Sequence, residues 1–298
     1  MPELPEVETI RRDLAKAVIG REITDLKLFF SKTAKNDAAF FINSLLNKKF
    51  IALDRVGKLL IFKIQRAARE IKQHYLLIHL KMTGQLILVG KKEKIAGGHS
   101  LSDSSFQAAV GGELPNKHTR AVFSFKNAFQ LFFNDLRKFG YLKVVDEAEL
   151  RKIIARGYGP EPLTKEFTLE YLTSVLKNKK ISIKGLLLNQ KLIAGLGNIY
   201  VDESLYLAKI RPDRAAESLK KSEIQALYQA INQVINKAIK YRGTTFNNYV
   251  DSAGRKGNFS RLLHVYGRAK QACFKCGTPI QKKKLAGRGT HYCPHCQK

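Results

Sequence analysis

The stretch CFKCGTPIQKKKLAGRGTHYCPHC, residues 273–296, decides the fold of the C-terminal end of this chain. It holds all four cysteines as two Cys-x-x-Cys pairs, Cys273/Cys276 and Cys293/Cys296, separated by sixteen residues. Two such pairs on facing turns supply the four soft thiolates that Zn²⁺ takes in a tetrahedral site. Because four thiolates leave no open position on the metal, the spacing predicts one structural zinc ion. Two disulfides are the alternative, but they need an oxidising compartment, and nothing in the sequence directs export.

The chain carries a large excess of positive charge. Its 298 residues include 53 Lys+Arg against 25 Asp+Glu, with a formal net charge of +28 and a pI of about 10.0. This excess favours a polyanionic partner, namely nucleic acid. A membrane surface would also attract it, but no run reaches the ~18 apolar residues of a spanning helix. The acidic start MPELPEVET lacks the regions of a signal peptide, so the sequence predicts a cytosolic protein.

The pattern of apolar residues divides the chain into a β part and a helical part. A helix is predicted over Pro5–Val18, and from Ile23 to Val145 short strands joined by tight turns predict a two-layer β-sandwich. The region 91–116, rich in Gly, Ser and Lys, is interpreted as a long loop or insertion. After Asp146 the pattern becomes helical, and the clearest helix is Ser222–Tyr241, with its first residue as N-cap.

Two segments have the chemistry of phosphate contacts. GLGN at 195–198, between two predicted helices, leaves backbone N–H groups at the start of the second helix, where a phosphate binds without a charged side chain. An ordinary turn and N-cap is an equal alternative. The cysteine-rich stretch 273–296 is expected to form a small zinc ribbon with a cationic surface. Its cations are Lys282, Lys283, Lys284 and Arg288, and a solvated charged loop is the alternative. These residues indicate a basic, zinc-containing nucleic-acid binder, and they do not decide whether it is an enzyme.

A series of sequence blocks resembles the formamidopyrimidine-DNA glycosylases, bacterial base-excision enzymes for oxidised purines. Each block alone is weak, but together they run in the family's order over nearly the whole chain, apart from 91–116. The blocks are MPELPEVET (1–9), GK (57–58), HLKM (79–82), NDLRKFG (134–140), GPEPL (159–163), GLGNIY (195–200), VYGR (265–268) and the cysteine segments 273–277 and 286–296.

The resemblance implies an α+β fold. An N-terminal helix and a two-layer β-sandwich would be followed by a helix-two-turn-helix domain with a zinc ribbon. The implied partner is damaged double-stranded DNA, bound by a monomer without a membrane or a small-molecule cofactor, in the bacterial cytoplasm at the nucleoid. The expected domains are a catalytic β-sandwich over 1–146, a linker over 147–161, the helix-two-turn-helix domain over 162–260 and the zinc ribbon over 261–298.

The resemblance also assigns the reaction to the N-terminus. Removal of Met1 would expose the secondary amine of Pro2, and a terminal amine titrates near ~8, so part of it is neutral in the cell. Pro2 is then expected to attack C1′ of the damaged nucleotide, release the base and form a Schiff base that permits β,δ-elimination. Glu3 is the expected general acid at the opening sugar, and Glu6 is expected to orient the site. The alternative for all three is helix-start chemistry.

Further residues take their roles from the same resemblance. Lys58 is expected to act on phosphate and proton transfer at the reacting nucleotide, where an exposed turn lysine is the alternative. Arg288 is expected to donate to the phosphates beside the lesion and to assist the second elimination. For His79 a structural role remains open. The expected DNA-backbone contacts are His79, His118, Lys180, Asn198, Tyr266 and Lys282.

Base chemistry requires the nucleotide to leave the stack, and a wedge must fill the gap. The resemblance assigns this wedge to Met82, Arg137 and Phe139. Arg137 would bond the orphaned cytosine, and Phe139 would stack at the gap. A core Met and a core Phe are the alternative.

The chain departs from the family pattern at four single positions and in the longer segment 91–116. Leu136 stands where Pro is usual, Lys81 and Arg242 stand where Gly is common, and Arg120 replaces a second His. Arg242 is the first residue of a Gly- and Asn-rich loop over 242–259, and in the family this loop closes over the extruded base. These departures leave the lesion preference open.

Two other functions compete with this interpretation. Endonuclease VIII has the same fold and prefers oxidised pyrimidines, but it usually has Gly where Leu4 stands and lacks the Arg-x-Phe wedge. A non-catalytic zinc-ribbon binder of DNA or RNA would also explain the charge and the cysteines. Such a binder has no need of Pro2, Glu3, Glu6 and Lys58, which are all present.

Overall fold

The computed structural model describes residues 2–66, 71–91, 94–99, 101, 105–244 and 258–298. The chain forms two compact units, one of residues 1–154 with 241–258 and one of residues 155–240 with 259–298. The first unit thus includes residues 241–258, which the resemblance placed in the helix-two-turn-helix domain over 162–260.

The helices are short except for the first, the fourth and the last. Among the described residues, no helix combines the length and apolar character that a membrane span requires. The α-helices are α1 (Leu4–Val18), α2 (Ala38–Asn43), α3 (Phe106–Val110), α4 (Glu147–Gly157), α5 (Leu169–Leu176), α6 (Ile183–Leu187), α7 (Asn198–Leu207) and α8 (Lys221–Lys240).

The described strands form two antiparallel sheets in the first unit and a hairpin in the second. One sheet has the order β2-β3-β4-β9 and the other the order β1-β7-β8-β5-β6. The strands are β1 (Ile23–Leu28), β2 (Phe50–Val56), β3 (Leu59–Ile64), β4 (His74–His79), β5 (Gly84–Val89), β6 (Lys94–Gly98), β7 (Thr119–Phe125), β8 (Phe129–Asp135), β9 (Tyr141–Asp146), β10 (Gln281–Leu285) and β11 (Arg288–Tyr292).

The two larger sheets enclose one apolar core, which confirms the predicted two-layer sandwich. Phe62 from one sheet and Phe123 and Phe133 from the other are fully buried in it. The apolar stripe of α1 joins the same core through Val7, Ile10 and other residues. Helix α1 therefore has a fixed position on the sandwich, and so does the N-terminal end from which it begins.

The interpretation of 91–116 as a long loop or insertion is wrong on the loop for residues 94–98 and 106–110. Residues 94–98 form β6, which pairs with β5 at the edge of the five-stranded sheet. Helix α3 follows, capped by the Ser105 hydroxyl, and its Phe106 and Val110 pack with Ile87 and Phe132 in a second small core. Edge pairing uses backbone groups and so leaves no apolar periodicity in a sequence.

The helical unit follows the predicted pattern with one correction. Helix α8 begins at Lys221, so Ser222 lies inside the helix and is not its N-cap. The side chain of Glu223 accepts the backbone N–H of Lys220 at 2.8 Å instead. Glutamate near a helix start also interacts favourably with the helix dipole, so the helix starts without a serine cap.

Candidate nucleic-acid interface and catalytic residues

The N-terminal end of α1 is a buried cluster of the residues expected to react. Pro2 is buried, and Glu3 and Glu6 are 2% and 0% exposed. The backbone N–H of Glu3 donates to Oε2 of Glu6 at 2.9 Å. Oε1 of Glu6 accepts the backbone N–H of Thr244 at 2.8 Å and its hydroxyl at 3.1 Å. Glu6 therefore ties the residue after Pro2 to the segment that returns from the helical unit.

The two residues before Thr244 both have left-handed backbone conformations. Gly243 has φ +79°, and a Cβ there would lie 2.6 Å from Oε1 of Glu6, so a larger residue cannot approach the carboxylate in the same way. Arg242, at one of the family's glycine positions, adopts φ +63°. Its Nη2 donates to Oδ2 of Asp13 at 2.6 Å, and this ion pair offsets the strain of a left-handed arginine. Residues 245–257 of the predicted loop lie outside the described residues.

Lys58 and His79 lie side by side at one end of the four-stranded sheet. Lys58 is only 6% exposed, so it is not the exposed turn lysine of the alternative. The backbone N–H of Lys81 donates to Nδ1 of His79 at 3.0 Å, which leaves the proton of a neutral ring on Nε2. Burial, and then the charges of Lys81 and Lys58, lower the pKa of His79 to about 3. His79 is therefore a neutral hydrogen-bond donor through Nε2.

Arg137 contacts both of the other predicted wedge residues. Nη1 of Arg137 lies 3.2 Å from Sδ of Met82, and the guanidinium carbon lies 4.7 Å from the ring centre of Phe139. Phe139 is 53% exposed, which excludes a place in the core. Two loops from neighbouring strands thus present one surface, in which the cationic Arg137 and the aromatic Phe139 are exposed and the apolar Met82 is half-buried.

Asp135 holds these two loops together. It is 1% exposed, and its Oδ1 accepts the Thr83 hydroxyl and the backbone N–H of Arg137, the latter at 3.2 Å. Oδ2 accepts the backbone N–H of Gly140 at 2.6 Å. The backbone carbonyl of Asp135 accepts Nε of Arg120 at 2.9 Å, so the arginine that replaces the second His of the family supports the base of the loop.

We predict that Asp135→Asn destabilises the sandwich and weakens binding to a duplex with an abasic analogue. An amide replaces one carboxylate acceptor by an NH₂ group, which faces backbone donors. A hydrogen bond to a charged group contributes about 1.5–3 kcal/mol, so the free energy of unfolding should fall by about that amount. Chemical denaturation and fluorescence anisotropy measure the two effects.

Asp25→Asn is the matched control, because Asp25 is exposed and pairs only loosely with Lys27 at 3.8 Å. It should stay within about 0.5 kcal/mol of wild type. Equal unfolding free energies for the two variants would show that Asp135 does not hold the wedge loops.

The four cysteines form one cluster with the geometry of a zinc site. Their sulfur atoms all lie within 4.8 Å of one another, with 3.5 Å between Cys276 and Cys293 and 3.9 Å between Cys273 and Cys296. A tetrahedron with Zn–S bonds of about 2.3 Å has sulfur–sulfur edges of about 3.8 Å. The residues therefore fit one structural zinc ion, as the spacing predicted.

The ribbon hairpin β10–β11 presents its cations at and beside a tight turn. Ala286 and Gly287 both have positive φ, +49° and +71°, as a two-residue hairpin turn of type I′ requires. Arg288 follows at the start of β11 and is exposed, as are Lys282 and Lys284. Lys283 instead pairs with Asp213. The hairpin thus has three exposed cations for a polyanion.

Helices α6 and α7 anchor this hairpin through buried and half-buried polar groups. Nδ2 of Asn198 donates to the carbonyl of Gly289 at 2.9 Å, and Nζ of Lys184 donates to it at 3.3 Å. Asp202 accepts Lys184 Nζ at 2.6 Å and the backbone N–H of His291 at 2.8 Å. Asn198 therefore fixes the strand after Arg288, and its contact with DNA stays a prediction.

Glu203 plays a similar part for the VYGR segment. Its carboxylate, 2% exposed, accepts the backbone N–H groups of His264 at 2.8 Å and of Val265 and Tyr266 at 2.9 Å each. The ring of Tyr266 also packs edge-on against His291, with the ring centres 5.1 Å apart. Tyr266 thus has a fixed backbone beside the ribbon.

The remaining predicted contacts, Lys180 and His118, are placed singly. Lys180 is exposed in the loop between α5 and α6. Burial and the neighbouring charges of Lys117 and Arg120 lower the pKa of His118. In the first unit the structure brings together Glu3 and Glu6 beside Pro2, and Met82 and Phe139 around Arg137. In the second unit Asn198, Tyr266, Lys282 and Arg288 lie on or beside the ribbon, whereas Lys180 does not join this group.

Sequence reasoning missed the buried acids that hold these groups in place. One sequence feature could have revealed them: each is an acidic residue inside or next to an apolar helix or strand, in a chain that is otherwise strongly basic. The missed acids are Glu8, Asp135, Asp202 and Glu203.

A sandwich whose first helix begins beside a buried proline, a helical unit and a four-cysteine ribbon form the architecture of a zinc-containing DNA glycosylase. Family profiles match along the chain: the formamidopyrimidine-DNA glycosylase N-terminal domain over 1–142, its H2TH domain over 158–250, and the zinc finger found in FPG and IleRS over 270–298. The chain belongs to the formamidopyrimidine-DNA glycosylase family.

Individual relatives agree over the full length. The formamidopyrimidine-DNA glycosylase of Lactobacillus gasseri is 39% identical, with 100% of this chain and 99% of the relative covered. That of Carboxydothermus hydrogenoformans is 40% identical, with both chains fully covered. Among solved structures, a Lactococcus lactis Fpg variant bound to Fapy-dG-containing DNA has a TM-score of 0.85, 34% identity and full coverage of both chains. Lactococcus lactis Fpg bound to abasic-site DNA has the same TM-score and identity over 99% of each chain.

Proposed function

We propose that this protein is a bifunctional DNA glycosylase and AP lyase that excises oxidised purines, 8-oxoguanine and formamidopyrimidines, from duplex DNA. The observation that carries the proposal is the buried start of α1, where Pro2 adjoins Glu3 and Glu6. The family's Lactococcus lactis structures with Fapy-dG-containing and abasic-site DNA support the substrate class. The proposed catalytic domain is 1–146, with DNA-binding domains over 162–260 and 261–298 joined to it by the linker 147–161.

The proposed reaction begins at the amine of Pro2 after removal of Met1. The nitrogen lone pair attacks C1′, the glycosidic bond breaks, and the departing base takes up a proton. The amine loses its own proton, and Glu3 protonates O4′ as the C1′–O4′ bond opens, which gives an iminium ion. The iminium accepts the electron pair left by loss of a C2′ proton, so the 3′ phosphate leaves, and the 5′ phosphate follows in the second elimination.

The other residues bind and position the nucleotide in this scheme. His79 donates through Nε2, and Lys58 supplies a buried cation beside it. Met82, Arg137 and Phe139 fill the gap that the extruded nucleotide leaves. Arg288 and Lys282 contact phosphates, as do His118, Lys180, Asn198 and Tyr266. The zinc ion shapes the ribbon and takes no part in bond breaking.

Borohydride trapping on an 8-oxoguanine duplex tests the proposal. Reduction of the Schiff base should leave a covalent protein–DNA adduct, whereas a non-catalytic binder leaves none. A cleavage panel of 8-oxoguanine, formamidopyrimidine, thymine glycol and abasic duplexes then ranks the lesions. Preference for thymine glycol would favour an endonuclease VIII activity instead.

The proposal includes a monomer that acts in the bacterial cytoplasm, associated with the nucleoid through DNA. Neither a membrane nor a small-molecule cofactor takes part in the proposed reaction. Light scattering during gel filtration, with and without a lesion duplex, measures the oligomeric state. A single chain per duplex supports the proposal.

We predict that Lys58→Ala lowers base excision more than cleavage at preformed abasic sites. The buried cation lies beside His79 at the end of the sheet, where it suits the nucleotide with its base still attached. A loss of about 10²-fold in base excision is expected, the lower end of what a positioned proton-transfer group contributes. Single-turnover rates on 8-oxoguanine and abasic duplexes give the ratio.

Lys126→Ala is the control, because Lys126 is an exposed lysine on another hairpin turn. It removes the same charge and should leave both rates near wild type. An equal loss on both substrates in Lys58→Ala would reassign Lys58 to plain phosphate binding.

A further inference from the structure

Lys58 lies on a hairpin turn whose direction is set by its neighbour. Strands β2 and β3 pair so that Val56 faces Leu59, which leaves Gly57 and Lys58 as the two turn residues. Gly57 has φ +58°, a left-handed conformation that glycine adopts without strain. The peptide between Gly57 and Lys58 fixes the direction in which the lysine side chain leaves the backbone.

Arg55 holds that peptide. Its Nη1 donates to the carbonyl oxygen of Gly57 at 2.7 Å, which belongs to the peptide joining Gly57 to Lys58. The Arg55 side chain is only 12% exposed, and its Nε donates to Oε2 of Glu8 at 3.2 Å. One guanidinium thus contacts both the turn and α1, and the planar fork of arginine makes two such bonds at fixed angles.

Glu8 is the fixed end of this connection. It lies on α1, the helix that begins directly after Pro2 and Glu3, and its side chain is 10% exposed. Arg11 and Arg12 also bind its carboxylate, at 2.9 Å and 2.7 Å. Burial would raise the pKa of Glu8, but the hydrogen bonds from Arg11 and Arg12 and the charge of Arg55 lower it to about 2. The carboxylate is therefore charged at neutral pH.

We propose that Arg55 is a positioning residue that sets Lys58 relative to the N-terminal nucleophile by tying the turn to Glu8. The inference rests on the proposed function, because it assigns Lys58 a part in base excision. The chain of contacts is covalent or hydrogen-bonded throughout, from Pro2 along α1 to Glu8, then to Arg55, the Gly57 carbonyl and Lys58. A small displacement of a reacting group is enough to slow a reaction about 10²-fold.

A double-mutant cycle tests the inference on the full-length protein. Arg55→Met keeps the apolar stem and removes the donors, so we expect base excision on an 8-oxoguanine duplex to fall about 10–100-fold. Cleavage of a preformed abasic site should change much less. In the Lys58→Ala background, Arg55→Met should lower the rate of base excision by less than about 2-fold. The effects of two substitutions do not add when the residues act through one another.

Two further variants separate positioning from stability. Arg12→Met is the matched control: it removes another cation from Glu8, but Arg12 is 56% exposed, and its contact is with Glu8 alone among the described pairs. It should leave excision near wild type. Arg55→Lys keeps a charge beside Glu8, but a single ammonium group cannot replace the fork, so excision should fall while the melting temperature stays close to wild type.

The outcomes separate the two proposals. Failure of borohydride trapping in the wild type would overturn the proposed function itself. If trapping succeeds and Lys58→Ala slows excision, the inference about Arg55 is overturned by unchanged excision in Arg55→Met. It is also overturned by an equal loss with and without Lys58. A smaller loss in the Lys58→Ala background supports it.

Discussion

Replacing Pro2 by glycine is expected to abolish most base excision while duplex binding stays near wild type. Glycine is also small, so removal of Met1 should continue, but the new terminus is a primary amine on a more flexible residue. In the wild type the amine is part of the pyrrolidine ring, which prevents rotation about the N–Cα bond and holds the nitrogen at the buried start of α1. We expect a fall of about 10²-fold or more, the loss that misplacement of a reacting group produces.

The measurement is single-turnover excision from an 8-oxoguanine duplex together with borohydride trapping. Anisotropy on an uncleavable abasic analogue reports binding separately. Pro5→Gly is the matched control, because Pro5 is a buried proline in the first turn of the same helix and has no terminal amine. Pro5→Gly should destabilise α1 but still give the covalent protein–DNA adduct in borohydride trapping. Full activity of Pro2→Gly would remove Pro2 from the nucleophile role.

Much of the fold was predictable because it depends on local patterns. The period of α1 predicted its end at Val18, and the tight turns predicted between short strands are found between β2 and β3 and between β7 and β8. The cysteine spacing predicted the metal cluster for the same reason, since a zinc knuckle is built from four neighbouring residues. Such signals lie within a few residues and survive any tertiary arrangement.

The parts that could not be predicted depend on pairs distant in sequence. The described part of 91–116 is ordered by pairing with β5 and by packing on Phe132, and neither leaves a period in its own residues. The left-handed backbone of Arg242 becomes understandable only with its ion pair to Asp13. A non-glycine residue at a family's glycine position is therefore not by itself evidence that the backbone turn has changed, because an ion pair can hold that residue in the left-handed conformation.

The candidate site divides in the same way. Resemblance named the residues expected to meet DNA, and the structure places Arg137 against both Met82 and Phe139; their role as a wedge stays a prediction. The carboxylate that holds the cluster, Asp135, lies within a matching block but bonds backbone groups of two loops, so its type alone did not reveal its role. Residues that contact DNA can be predicted from their type, whereas the residues that hold them in place can be identified only from the structure.

Replacing Cys293 by serine is expected to release the zinc ion and to destroy DNA binding while the β-sandwich stays folded. Cys293 is fully buried in the ribbon, whose small core consists of Tyr206, Val265, Cys273 and Ile280 besides itself. So few apolar residues cannot order the ribbon, and a structural zinc contributes about 10–16 kcal/mol in small zinc modules. The sandwich has its own core and does not depend on the metal.

His295→Ser is the matched control, because His295 is the exposed residue in the same knuckle and is not a cysteine ligand. It should keep the metal and the affinity. Metal content and a two-transition thermal scan check that only the ribbon is lost in Cys293→Ser. Retention of the zinc by Cys293→Ser would mean that three thiolates suffice.

Loss of the ribbon should also change the salt dependence of binding, and this makes the prediction specific. Arg288 and Lys282 are exposed on the hairpin that the metal holds, and each phosphate contact adds about −0.9 to the slope of log K against log salt. Anisotropy on an abasic-analogue duplex across a salt series should therefore show an affinity lower by orders of magnitude and a slope flatter by about one unit per lost contact. Unchanged affinity and slope in the zinc-free variant would show that the ribbon does not bind DNA. A lower affinity with an unchanged slope would show that zinc supports binding through the fold and not through these cations.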